Sequence, residues 1–182
     1  MLIKLASRED APCLARYYAD NAEHLKPWEP LREPGYHSLE SWAARLAEWE
    51  QDQREGRAAY FLALDGEPKE LVAVCNLTNI VRGPFQACYM GFSVAQKRQG
   101  TGRMKMLARH AIRHAFEELK LNRVMANHLP RNSRSAALLA SLGFEREGLA
   151  RRYLCINGRW EDHVLNALHN PANLDTDNKD EP

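Results

Sequence analysis

The segment 86–129 constrains the fold more than any other part of the chain. Residues 86–94 follow a Gly83-Pro84 turn and read as a strand. Apolar residues at helical spacing predict a long helix over about 101–119, and 123–129 reads as a strand again. Such a strand–helix–strand unit requires a sheet with at least one helical layer on it. The flanking patterns add further strands and helices. Residues 2–6 alternate around Lys4 as a short strand, and Ser7 is placed to cap a helix over roughly 10–21. After a loop rich in Pro and Trp, Ser38 caps a second helix, whose Leu39, Trp42, Ala43, Leu46 and Trp49 stripe reads as core. Two apolar runs, 58–64 and 71–77, connect through Asp65-Gly66 as a hairpin. Residues 132–142 read as a helix stopped by Gly143, and Asn157-Gly158 marks a type I′ hairpin between two last strands. The order predicts an α+β, three-layer fold: a mixed, mostly antiparallel sheet with helices on both faces.

Size and composition narrow the function classes. With 182 residues, of which 45% are hydrophobic and 27% charged, the chain has the make-up of a globular protein. One domain is expected over 1–169. The remainder, 170–182, holds four acids and Leu174 as its only large apolar residue, and is expected to be a disordered acidic tail. Lys plus Arg is 25 against 24 Asp plus Glu, which excludes a polycation built throughout for nucleic acid. No apolar run approaches the length of a membrane span, and the first ten residues lack an apolar signal region. Cys13, Cys75, Cys88 and Cys155 form no CxxC pair or metal-ligand spacing. They are expected to be small buried hydrophobes in a reducing cytoplasm. His110 and His114 share a helix face, but no third ligand accompanies them, so no metal is expected.

The chemistry concentrates where the strand 86–94 meets the helix. Lys97-Arg98-Gln99-Gly100-Thr101-Gly102 is a glycine-bearing turn that opens a helix, and from 97 to 114 there are six Lys or Arg and no acid. Unpaired N–H groups at a helix start, with the positive end of the dipole behind them, form a cradle for phosphate or pyrophosphate. A P-loop would need GxxxxGK[ST], and a dinucleotide fingerprint a third glycine where Lys105 stands. On spacing alone, a plain helix-start turn with a solvated basic face explains the GxG as well. Asn127 on the next strand, and Asn132 and Ser135 three apart on one helix face, add polar groups to the same region.

Lys-x-x-Gly-x-Gly at 97–102, Asn-x-x-Ser at 132–135 and Leu-Gly-Phe at 142–144 resemble the acetyl-CoA site of the GNAT superfamily of N-acetyltransferases. The resemblance runs over nearly the whole chain before the tail. Segments 25–30, 81–83, 87–89 and 160–165 are similar to the branch that acetylates the N-terminal alanine of small-subunit ribosomal protein five. It implies a sheet splayed at its centre and acetyl-CoA as cosubstrate. The backbone of Gln99, Gly100, Thr101, Gly102, Arg103 and Met104 would hold the pyrophosphate. Phe92 and Val94 would pair with the pantetheine arm, beside a bulge that splays their strand from that of Asn127. Asn132 would bond the pantetheine, Arg134 or the basic face of the helix would meet the 3′-phosphate, and Ser135 would sit by the thioester sulfur. Two departures matter. Leu139 stands where many members carry a tyrosine acid, leaving Ser135 as the replacement, and Tyr89 stands where many carry a strand glutamate base.

The implied chemistry is direct attack of a neutral amine on the thioester. At pH 7, deprotonating an α-amine of pKa about 7.8 costs about 1 kcal/mol, against about 4.6 kcal/mol for a lysine near 10.4. A site without a strong strand base therefore suits a protein N-terminus. Glu29, Glu33, Glu161 and His128 are candidate bases, with Glu29 first because it sits in the Pro/Trp loop. Trp28 and Tyr89 are candidates to shape the acceptor pocket. The expected partner is a ribosomal protein N-terminus. Two other readings stay open: a small-molecule amine acetyltransferase, and a ribosome- or RNA-associated factor using Arg131, Arg134, Arg146, Arg151, Arg152 and Arg159.

Overall fold

Residues 59–63 are buried without a break, which a strand achieves only in the middle of a sheet covered on both faces. In β2 (Ala59–Asp65), Phe61 and Ala63 join one core and Tyr60 and Leu62 another. The second core is closed by α1 (Ala11–Asp20), the short α2 (Ala22–Leu25) and α3 (Leu39–Arg54) through Leu14, Tyr17, Leu25, Trp42 and Leu46. The first is closed by α4 (Arg103–Arg113) and α5 (Ser133–Ser141) through Leu107, Ala111 and Leu139. The computed structural model describes residues 1–176, and the expected three layers hold. No helix among the described residues is long and apolar enough to cross a membrane.

The other strands are β1 (Leu2–Leu5), β3 (Glu70–Val81), β4 (Ala87–Val94), β5 (Arg123–Met125), β6 (Glu145–Ile156) and β7 (Arg159–His169). The seven lie in the order β1-β2-β3-β4-β5-β7-β6. Only β4 and β5 pair in parallel, as their helical crossover dictates. The β6–β7 turn has Asn157 at φ 45° and Gly158 at φ 78°, the left-handed pair that a type I′ hairpin requires.

The site is opened by the way hydrogen bonds are shared at the centre. β4 meets β5 only from Ala87 to Tyr89. Beyond that point β4 stays with β3, while the N–H groups of Ala126 and His128 donate to Asn166 and Val164 of β7. The expected strand 123–129 is therefore regular only to Met125, and its continuation follows β7 away from β4. The bulge expected beside Phe92 lies elsewhere: the register shift falls in β3, between Thr78 and Val81, where Asn79 takes φ 51°.

Three local expectations change. The helix over 101–119 starts at Arg103, because Gly102 is left-handed, and passes into a π turn at His114–Glu118. Cys75 and Cys88 are buried, but Cys13 is half-buried and Cys155 is exposed on β6. The expected tail begins with Asn170, which is buried and whose side-chain amide donates to the carbonyl of Leu121. Pro171–Thr176 then forms a 3-10 turn, and 177–182 lie outside the described residues. Leu107 is fully buried between α4 and the sheet. Leu107→Ala is expected to lower the unfolding free energy by about 2–5 kcal/mol in a denaturant titration.

Candidate active site

Where β4 parts from β5, the β5-side edge of β4 beyond Tyr89 has no ladder partner, and backbone groups there remain free for another chain or ligand. A cavity of about 450 Å³ opens on this edge. Its walls include Phe92 and Val94 of β4, Gln99, Gly100, Gly102 and Met104 of the loop and helix start, and Asn132, Arg134 and Ser135 of α5. Trp28 and Glu29 close one end. The sequence-derived cosubstrate residues are thus largely brought together in one place.

The loop is shaped for an anion. Gly100 and Gly102 take φ 71° and 78°, and a Cβ on either would meet nothing within 4 Å. They serve the turn's left-handed backbone rather than relieving a clash. The first-turn N–H groups of α4 have no intrahelical acceptor. The loop is fixed from outside, since the Gln96 N–H donates to the Asn21 carboxamide oxygen at 2.8 Å. Thr101 closes the turn through its hydroxyl, which donates to the carbonyl of Arg98 at 2.6 Å.

Some expected residues point elsewhere or are partly occupied. The Arg103 guanidinium donates to Asp65 at 2.9 Å, so only its backbone remains for a ligand. Thr101 and Arg103 do not line the cavity. The Asn132 side-chain oxygen caps α5 by accepting the Ser135 N–H at 3.1 Å, leaving its amide hydrogens for a ligand. Arg134 donates to Gln99, whose amide also lies 3.1 Å from the His24 ring. Leu139, in the usual tyrosine position, is buried in the core.

A second cavity of about 370 Å³ meets the first at Trp28, Glu29, Phe92, Ser93, Asn132 and Ser135. It lies on the α1–α3 side of the sheet, with Tyr18, His37, Trp42, Asn76 and Asn127 in its walls. Burial, opposed by Arg32, holds the Glu29 carboxyl above the usual carboxylate range. Burial, with Arg45 and Arg32 beside it, pushes His37 down to about 4, so its ring is neutral at pH 7. His37 stacks on Tyr18 with ring centroids 4.2 Å apart. Tyr17 and Ser93 share a hydrogen bond of 2.9 Å beneath this floor.

The loop carrying Glu29 is pinned from the opposite end of the chain. The Asn157 N–H at the β6–β7 hairpin tip donates to the Glu29 carbonyl at 2.9 Å. Arg131 reaches the Pro27 carbonyl, pairs with Glu161 at 3.0 Å and lies 5.9 Å from the Trp28 ring. Among the candidate bases, Glu29 lines both chambers and buried His128 lines the second, whereas Glu33 is exposed and Glu161 is held by Arg131. Tyr89 lines neither chamber; its hydroxyl accepts from Tyr153 at 3.4 Å, and Tyr153 in turn accepts from Asn127 at 3.3 Å. Among the described residues, no group of three or more His, Cys, Asp or Glu is placed to hold a metal.

Arg98 also lines the first chamber, although the sequence marks it only as part of the basic run, and Lys105 brings to it the basic helix face expected near the 3′-phosphate. Sequence reasoning missed Tyr18, His37, Asn76 and Ser93 in the second. Trp42 read correctly as core, yet it also walls that chamber.

Comparison with known proteins adds the following. A family model described as an acetyltransferase (GNAT) domain matches residues 1–145. The chain is 46% identical over 171 residues to the [ribosomal protein uS5]-alanine N-acetyltransferase of Escherichia coli, covering 94% of this chain and 88% of that protein. The crystal structure of ribosomal-protein-S5-alanine acetyltransferase from Vibrio fischeri superposes with a TM-score of 0.90 at 37% identity, over 93% of this chain and 92% of that one. Mycobacterium smegmatis RimJ in complex with CoA-disulfide superposes with a TM-score of 0.86 at 32% identity, over 92% and 80%.

Two outcomes follow from the geometry. Gly102→Ala, strained by about 1 kcal/mol in the left-handed region, is expected to raise KM for acetyl-CoA while kcat at saturation holds; steady-state kinetics read the split. The raised Glu29 pKa means that the native chain binds this proton more tightly than the unfolded chain does. Its stability therefore declines as pH rises from the ordinary carboxylate value through the raised one. Glu29→Gln is expected to remove that decline, seen as a flatter plot of denaturant midpoint against pH.

Proposed function

We propose, for a chain that belongs to the GNAT acetyltransferase family, that it transfers the acetyl group of acetyl-CoA to the N-terminal alanine α-amine of ribosomal protein uS5. The observation that carries the reading is the junction of two chambers at Ser135 and Glu29. One chamber has an anion-binding loop and a free strand edge, the other a desolvated carboxylate. The 46% identity to a uS5-alanine acetyltransferase over 94% of the chain supports the acceptor. That substrate would also place the chain at the ribosome, in the cytoplasm.

In this reading acetyl-CoA lies with its pyrophosphate on the N–H groups of 99–104 and its pantetheine along the β4 edge at Phe92 and Val94. The acceptor amine enters from the second chamber. Glu29, whose raised pKa brings it nearer neutrality, takes the amine proton directly or through one water. The amine nitrogen attacks the thioester carbonyl carbon, and the tetrahedral intermediate collapses with cleavage of the C–S bond. Ser135 delivers its hydroxyl proton to the departing thiolate and takes in its place the second proton that the amine nitrogen loses, so the hydroxyl is restored. Positioning supplies much of the rate, because an α-amine needs little help to lose its proton at pH 7.

A direct contact with RNA has weaker support. Of the six arginines that suggested one, Arg131 is ion-paired and Arg134 belongs to the first chamber's wall.

Release of free thiol from acetyl-CoA tests the function. Turnover is expected with an Ala-starting peptide and not with the same peptide N-blocked but keeping its lysines, nor with spermine. Turnover with spermine would overturn the acceptor. Ser135→Ala is expected to lower kcat about 100-fold with KM for acetyl-CoA little changed; an unchanged kcat would remove Ser135 from the proton path.

A further inference from the structure

The second chamber carries more positive charge than acetylating an amine requires. Arg32 and Arg45 both line it. The Arg45 guanidinium carbon lies 4.0 Å from the Tyr36 ring centroid and 3.7 Å from the Trp42 ring, and that of Arg32 lies 4.4 Å from Tyr36. Stacking on an aromatic face holds a guanidinium in place while its edge N–H donors remain free. Arg45 gives two of those donors to the carbonyls of Ser41 and Tyr36. Among the described residues, neither arginine has a carboxylate within 4.0 Å. Glu29 is the one carboxylate in the same lining, and Arg32 acts on it electrostatically; His37 and His163, also in the lining, have their pKa values lowered chiefly by burial. Two permanent cations thus share this chamber with one desolvated acid.

We propose that Arg32 and Arg45 are specificity determinants that receive a carboxylate side chain from the residues just behind the acetylated N-terminus, and that they disfavour polycationic acceptors. The proposal rests on the acceptor reading above and adds to it a charge preference in the following residues. Glu29 serves the single amine at the reacting end. The arginine pair serves the chain behind it, with the planar fork that fits a carboxylate. A polyamine offers donors and positive charge at both places and meets repulsion at the second.

The test compares kcat/KM for Ala-starting peptides identical except for Glu, Gln or Lys at residues two to four, at low and high salt. Glu is expected to exceed Gln by about fivefold, and Lys to fall below Gln. The spread should narrow as salt rises, because part of it is screened. Arg32→Gln, a change on an exposed side chain, is expected to erase the Glu-over-Gln advantage, with KM for acetyl-CoA as the control. Arg45 also packs on Trp42, so Arg45→Lys accompanies Arg45→Gln; the Lys variant keeps the charge and is expected to retain part of the preference. Equal rates for the Glu and Lys peptides would overturn the charge preference while leaving the acceptor reading intact. A preference that survives in both Arg32→Gln and Arg45→Gln would overturn its assignment to the arginine pair. Silence with every free Ala peptide would instead overturn the acceptor reading, and this proposal with it.

Discussion

The whole arrangement depends on one divided loyalty among backbone hydrogen bonds. β4 and β5 pair for three residues, and then each keeps its other neighbour: β4 stays with β3, and 126–128 stay with β7. A sheet cannot leave buried polar backbone unpaired without penalty, so the gap persists only because a ligand or solvent can satisfy the freed edge. The β4 edge, the helix-start loop after it and the α5 start beyond it all face the same opening. Both chambers open where the sheet divides, and the proposed reaction runs at the wall they share.

Electrostatics then assigns the chambers different work. The first is lined by Arg98, Lys105 and Arg134 around unpaired N–H groups, which suits a highly charged anion. The second holds the raised Glu29 and the lowered His37, both displaced from their usual values mainly by burial. Desolvating a carboxylate costs stability, and the proposed reaction uses that carboxylate as its proton acceptor.

Much of this was legible in the residues. The unbroken apolar run in β2, the Asp65-Gly66 and Asn157-Gly158 turns and the Gly-x-Gly loop each carry a local physical signature, and each element formed where its signature stood. Ser135 and Glu29, about a hundred residues apart, each stand out in their own stretch of sequence, and both line the junction. Other features depend on where hydrogen bonds go in three dimensions. No local pattern says that 126–128 will follow β7, or that the bulge belongs to β3. Tyr89 sat on a plausible strand position, yet it faces Tyr153 rather than a chamber. His37 and Asn76 matter because of what surrounds them, which no single stretch of sequence displays.

The contact between the Asn157 N–H and the Glu29 carbonyl joins two main-chain groups, so it asks nothing of side-chain identity beyond a turn of the right shape. The hairpin acts as a detachable jig for the acceptor loop. Length or sequence changes within the β6–β7 arm can reposition that loop while the glycine turn at the start of α4, on separate elements, stays as it is. In such a layout a change in the arm reaches the first chamber only through Trp28 and Glu29, which both chambers share, so under the proposed function acceptor choice can shift with limited effect on the cosubstrate.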